Sequence, residues 1–220
     1  ITSIILLIIL IIINFSHRYI FIGSILIISA VLIFEFNNIF LKIKNNHSVN
    51  QNFISKKINL KFLFLNFLTF CYIFFVFCNI SYELHNKEGP IFFLYIVSIC
   101  FFTDIGGYIV GKVVGGKKLT KISPNKTISG TIGSFIFCLI SLFLFINISD
   151  LDLELNFKNI LFILIISLIS QIGDLFISYL KRKAKIKDTG NLLPGHGGVL
   201  DRLDGIIFAL PFSYFLLKLI

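Results

Sequence analysis

Apolar residues along this chain fall into long unbroken runs, separated by short polar segments, rather than into alternating or single-stripe patterns. A half-buried strand alternates faces at every residue and a soluble helix keeps one polar face, so neither accounts for the runs. Crossing about 30 Å of hydrocarbon takes roughly 20 helical residues. Runs of that order occupy residues 19–36, 60–80, 91–110, 130–148 and 159–180. Two shorter runs, 1–13 and 205–220, bring the expected number of spans to seven, within about one either way. The segments between them, 14–18, 37–59, 81–90, 113–129, 149–158 and 181–204, are too short to build a core and are read as loops. The pattern predicts an all-α, polytopic transmembrane bundle forming one integral membrane domain over 1–220. Within it, 1–100 is mainly apolar scaffold, and 101–220 carries the polar motifs.

Composition agrees: of 220 residues, 56% are hydrophobic and only 14% charged, against about 25% charged in a soluble domain. A disordered chain, a collagen-like repeat, a barrel of short alternating strands and a small disulfide scaffold are all excluded. Cys71, Cys78, Cys100 and Cys138 lie inside apolar runs without a CxxC pair, which predicts buried thiols. The chain has no Met. The run 1–13 lacks a basic leader and a small-residue cleavage site, so it is expected to be part of a transmembrane helix cut short at its start.

A net charge of +9 would suggest nucleic acid for a soluble protein, but here its distribution points to the membrane surface. Lys42, Lys44, Lys56 and Lys57 share one loop, and Lys112, Lys117, Lys118, Lys121 and Lys126 cluster around the next. Lys181, Arg182, Lys183, Lys185, Lys187 and Arg202 mark a third. Seven spans place these three loops on one face. The loops between them hold Glu83, Glu88, Asp150, Asp152 and Glu154 against only Lys87 and Lys158. The positive-inside rule then sets the basic face, with the N-terminus, in the cytoplasm.

These loops carry chemistry as well as charge. Asp104 is followed by a Gly- and Lys-rich stretch to Lys118, then by the segment from Ser123 to Gly130 that includes Lys126 and Thr127. Glycines let backbone N–H groups approach an anion, and Lys, Ser and Thr add donors, so the composition suits phosphate. The spacing is neither GxxxxGK[ST] nor a strand-borne GxGxxG. Gly107, Gly111 and Gly115, four apart, also fit a helix-packing face. Asp104 and Asp174 fall at or within apolar runs, where an unpaired carboxylate costs at least about 2.5–3.5 kcal/mol and needs a partner. The stretch from Ser178 to Asp204 combines Asp188, Asp201 and Asp204 with a cluster of cations and the turn Pro194-Gly195-His196-Gly197-Gly198. Carboxylates among cations beside a bilayer suggest Mg²⁺ with a polyphosphate. His196 has no second His or Cys nearby, which argues against zinc, and a turn-stabilising hydrogen bond is its plainer role.

Ser178–Asp204 resembles the signature S-x-x-K-R-x4-K-D-x-[GSA]-x2-hydrophobic-P-[GS]-H-G-G-x-x-D-R-x-D of the CTP:phosphatidate cytidylyltransferases, matching every fixed position. Asp104–Gly116, Ser123–Gly130 and Gln171-Ile-Gly-Asp174-Leu are similar to further blocks of that family. Gly107, Asn125, Ser129, Ile177 and Gly205 depart from its usual residues. The resemblance implies a polytopic, dimeric enzyme of the inner (plasma) membrane, active at the cytoplasmic face. It would condense CTP with phosphatidate to CDP-diacylglycerol and pyrophosphate, without nucleic acid. It implies Mg²⁺, with or without a second cation, on Asp174 and Asp201, with Asp204 and Asp188 as close candidates. Lys181, Arg182 and Lys187 would hold phosphates, Ser178 and His196 would orient them, and Lys126 and Thr127 would form a second clamp. Asp104, Gly195, Gly197, Gly198 and Arg202 are implied at the substrate as well. A CTP-dependent kinase of lipid alcohols is the nearest rival reading, and an ion-coupled transporter built on Asp104 and Asp174 is a second.

Overall fold

The computed structural model describes residues 2–48, 55–120, 122–148, 151, 153–193 and 197–219. Among these the chain is helical, with only two isolated β-bridges and no strand. The helices are α1 (Thr2–Asn14), α2 (Arg18–Ser48), α3 (Ser55–Cys71), α4 (Asn79–Lys87), α5 (Gly89–Val113), α6 (Ile128–Ile148), α7 (Phe157–Lys183), α8 (Leu200–Leu203) and α9 (Ile206–Leu217). A π-helical stretch, Tyr72–Cys78, joins α3 to α4 without a break. Among the described residues, five helical stretches are long and apolar enough to cross a membrane: Arg18–Asn46, Leu60–Lys87, Gly89–Val113, Ile128–Asn147 and Phe157–Lys183. They coincide with the five full-length runs in the sequence. The two shorter runs become α1 and α9, of 13 and 12 residues, so the expected seven resolves into five full-length helices and two short ones. The protein is a multi-pass helical membrane protein.

Two segments expected as loops are largely helical. α2 continues through the first part of 37–59, because Phe36, Ile39, Phe40 and Ile43 keep a buried face at helical spacing after the continuous apolar run has ended. Residues 81–87 remain helical because Ile80, Ser81 and Leu84 are buried on one side of α4. The chain breaks only at Gly89, with φ of +88°, and Pro90 then opens α5.

Two compact units interleave in sequence. One comprises Ile1–Asn79 and Ile177–Leu203, the other Ile80–Phe176 and Asp204–Ile220. In the first, the core is built from Leu32, Phe36, Ile39, Phe40 and Ile43 of α2, Ile73 and Phe77 of the π-helical stretch, and Ile177, Leu180, Ala184 and Leu200.

In the second unit, α5 and α6 cross closely on small residues. A Cβ added to Gly107 would lie 2.7 Å from Ser134 Oγ, and one on Gly130 would lie 2.7 Å from the Gly107 carbonyl. Small residues let helix backbones approach where the hydrophobic effect gives no drive between them. Gly107 and Gly111 therefore serve packing, whereas Gly115 does not: it has φ of +64°, open space around it, and lies in the turn after α5. Hydroxyls add a ladder across α5, α6 and α7. Ser134 Oγ donates to the Thr103 carbonyl at 2.7 Å, Thr103 Oγ1 lies 2.9 Å from Ser167 Oγ, and Gln171 Nε2 donates to Ser167 Oγ at 3.4 Å. Gly130→Ala should wedge the crossing open and destabilise the protein by about 1–3 kcal/mol. Gly23→Ala, where nothing lies within 4 Å, should be neutral or slightly stabilising. Thermal midpoints of the two variants in detergent check the contrast.

Candidate active site

The first unit carries the signature loop. α7, mainly apolar up to Leu180, ends in Lys181, Arg182 and Lys183, cations that suit the negative end of a helix. The helix closes in a Schellman turn: Lys185 takes φ of +55°, its N–H donates to the Arg182 carbonyl, and the Ile186 N–H donates to the Lys181 carbonyl. Asn46 of α2 donates to the Ala184 carbonyl at 3.1 Å and ties this turn down.

Lys181 points back to Asp201, with Nζ 2.7 Å from Oδ1 and side chains only 15% and 8% exposed. The other carboxylate oxygen, Oδ2, accepts from the Thr189 N–H at 2.7 Å, the Gly198 N–H at 3.0 Å and the Thr189 hydroxyl at 3.0 Å. Burial by itself would raise the pKa of Asp201. Lys181 and the two backbone N–H groups outweigh burial and hold the carboxyl below its ordinary value. Asp201 is therefore an anion at neutral pH, with both oxygens engaged.

Two glycines make room for this carboxylate. Gly197 has φ of +82°, and a Cβ there would lie 2.8 Å from Asp201 Oδ2. A Cβ on Gly198 would collide with the Thr189 hydroxyl and with a second carboxylate, that of Glu35. The paired glycines of the signature are thus required by anions on both sides of the backbone. Arg182, Lys187, Asp188 and Arg202 are exposed around the loop, and Ser178 is half-buried on α7. Gly195 and His196 lie outside the described residues.

The second unit holds the other expected residues. Lys126 forms an ion pair with Asp174, their side chains 28% and 22% exposed, and Asp104 of α5 feels the charges of both. The partner expected for an acid in an apolar run is thus found for Asp174. Gly173 lets the chain after the signature pack closely on α7, since a Cβ there would lie 2.8 Å from the Asp204 carbonyl. Asp204 consequently lies beside the Gly173–Asp174 pair. Thr127 Oγ1 accepts from the Gly130 N–H at 3.1 Å and caps α6. The turn before it is closed by Leu119 N–H to the Lys126 carbonyl at 2.8 Å and Ile128 N–H to the Lys117 carbonyl at 3.0 Å. Among the described residues no three His, Cys, Asp or Glu side chains converge as a ligand set.

Sequence reasoning treated the first hundred residues as scaffold and missed Glu35. It is 1% exposed and accepts three hydrogen bonds from the signature loop. The signal for it was an acid within the run 19–36, on the same stripe as Leu32, Phe36 and Ile39.

Taken together, long apolar helices and a loop that gathers lysines, aspartates and glycines define a polytopic membrane protein with a charged, glycine-rich loop. The Cytidylyltransferase family matches over residues 1–220, and the chain belongs to that family. Among curated relatives, the phosphatidate cytidylyltransferase of Bacillus subtilis (strain 168) is 41% identical over 140 residues, covering 62% of this chain and 52% of the relative. That of Staphylococcus aureus (strain COL) is 44% identical over 134 residues, covering 60% and 51%. That of Staphylococcus haemolyticus (strain JCSC1435) is 41% identical over 133 residues, covering 60% and 51%. The chain spans about half the length of the curated relatives it matches.

Proposed function

We propose that this chain carries the active site of an enzyme that condenses CTP with phosphatidate, giving CDP-diacylglycerol and pyrophosphate. The observation that carries the reading is the signature loop folded around Asp201, with Lys181 held against it and Arg182, Lys187 and Arg202 exposed around it. The names of the relatives support the same reaction. An oxygen of the phosphatidate phosphate attacks the α-phosphorus of CTP, and the bond from that phosphorus to the bridging oxygen breaks as pyrophosphate leaves. The nucleophile is already an anion, so no strong base is needed; the barrier is repulsion between phosphates and the charge on the leaving group. Arg182, Lys187 and Arg202 supply cationic donors for those phosphates, and Arg offers two parallel N–H groups to one phosphate. Lys181 is oriented by Asp201, and Lys126 by Asp174.

Hard carboxylate oxygens of the kind Mg²⁺ takes are present, but Asp174 and Asp201 each spend one on a lysine ammonium, so Mg²⁺ would have to take the place of that lysine. Asp174 with Asp204 in one unit, or Asp201 with Asp188 in the other, are the residues that would hold it. When bound, Mg²⁺ supplies neutralisation of phosphate charge. The asymmetry of basic loops supports a cytoplasmic site, where CTP is dissolved and the acyl chains can stay in the leaflet.

The test is transfer of label from α-labelled CTP into chloroform-extractable lipid by the full-length protein given phosphatidate, with and without Mg²⁺. Mg²⁺-dependent label in lipid with release of pyrophosphate is expected. A phosphorylated lipid alcohol with free CDP, formed when polyprenol replaces phosphatidate, would overturn the reading.

A further inference from the structure

Glu35 lies in α2, more than 150 positions before the loop it touches. Its Oε1 accepts from the Val199 N–H at 3.0 Å, and its Oε2 accepts from the Leu200 N–H at 2.8 Å and the Thr189 hydroxyl at 2.9 Å. A buried carboxylate is costly unless its lone pairs are filled, and here the loop fills them. The packing leaves no slack. A Cβ on Gly190 would lie 2.8 Å from Glu35 Oε1, and one on Gly198 would lie 2.6 Å from it. Among the described residues no lysine, arginine or histidine pairs with Glu35 as a salt bridge, so its partners are neutral donors of the signature loop itself.

Thr189 links the two carboxylates. Its single hydroxyl proton lies between Glu35 Oε2 at 2.9 Å and Asp201 Oδ2 at 3.0 Å, while its N–H is given to Asp201 alone at 2.7 Å. Moving the Glu35 carboxylate therefore moves three points of the loop: Thr189 on one side of Asp201, and Val199 and Leu200 immediately before it. We propose that Glu35 is a positioning residue for the reaction, holding the signature loop so that Asp201 faces Lys181 with its Oδ1. The inference rests on the functional reading above and extends the machinery into the first forty residues, which carry none of the motifs.

The test uses the full-length protein in detergent. In Glu35→Gln the side-chain amide has one acceptor oxygen and one NH₂ group, so in either orientation the Val199 or the Leu200 N–H faces a donor. The loop is expected to shift by a fraction of an ångström, lowering kcat by about 10–100-fold with KM for CTP within about threefold. Amide hydrogen exchange in peptides covering 188–203 should accelerate, while peptides from α5 and α6 stay as in the wild type. Glu35→Asp, one methylene short, should not rescue turnover. Thr189→Val, which leaves the Glu35 carboxylate in place, carries the test if Glu35→Gln aggregates; it should lower kcat by about tenfold, and in a soluble double variant the losses should not multiply. Unchanged exchange with kcat within twofold, or a loss confined to KM, would overturn the proposal. A wild-type protein that turns over no CTP would overturn the functional reading and the catalytic consequence with it, while the exchange data would still report whether Glu35 holds the loop.

Discussion

Asp201→Asn abolishes turnover, lowering kcat by at least about 100–1,000-fold, the range seen when one preorganised electrostatic group is removed from an active site. The geometry explains the size of the effect. Asp201 divides its oxygens between two jobs, Oδ1 for Lys181 and Oδ2 for the Thr189 and Gly198 N–H groups. An asparagine keeps only one acceptor. The backbone donors are fixed, so they take the amide oxygen, and the amide NH₂ is left facing the Lys181 ammonium. Lys181 must then swing away on its flexible stem, and the charge pattern offered to phosphates changes. Stability should fall by only about 1–3 kcal/mol, because the loop retains its Glu35 contacts and the lysine can reach water. The variant should therefore elute as folded protein from size exclusion in detergent while transferring no label from CTP. Near-normal transfer would remove Asp201 from the site.

How much of this was legible in the sequence follows from the range of each interaction. Spans are set by local hydropathy, so all five long helices stood out as runs. Where helices end is set partly by tertiary burial, and the extension of α2 through Ile39, Phe40 and Ile43 lay beyond the reach of a hydropathy argument. The lysines, aspartates and glycines of Ser178–Asp204 could be singled out because the chemistry needs them together in one stretch. What each one touches could not. The helix cap that Thr127 makes was not legible, since a capping Thr and a phosphate-binding Thr look alike in a sequence. Gly107 and Gly115 share a spacing, yet only at Gly107 would an added Cβ meet α6, because the helix stops at Val113. Glu35 was visible as an acid in an apolar run, but its three donors lie 154 to 165 positions away, a distance that no local pattern spans.

The Lys126–Asp174 pair separates a ligand role for Asp174 from a merely structural one, and its expected effects are nearly as large. Asp174→Asn should lower kcat by about 100-fold or more, since it removes a carboxylate proposed to hold Mg²⁺, and should raise the Mg²⁺ concentration needed for half-maximal rate. Lys126→Met removes only the cation that meets Asp174. It should cost about tenfold in turnover, because Asp174 then faces Asp104 with less positive charge to separate the two acids. The charge-reversed double variant Lys126→Asp with Asp174→Lys decides between the roles. It restores an ion pair across the same gap, so a pair that matters only for folding should recover both thermal midpoint and activity. A carboxylate needed at position 174 for the divalent cation cannot be replaced by one at position 126, because one acid would reach it from within α7 and the other from the turn before α6. The expected result is recovery of the thermal midpoint to within a few degrees of the wild type, with turnover still at the level of Asp174→Asn. Recovery of activity in the reversed pair would assign Asp174 to structure and leave Asp201 to carry the metal reading.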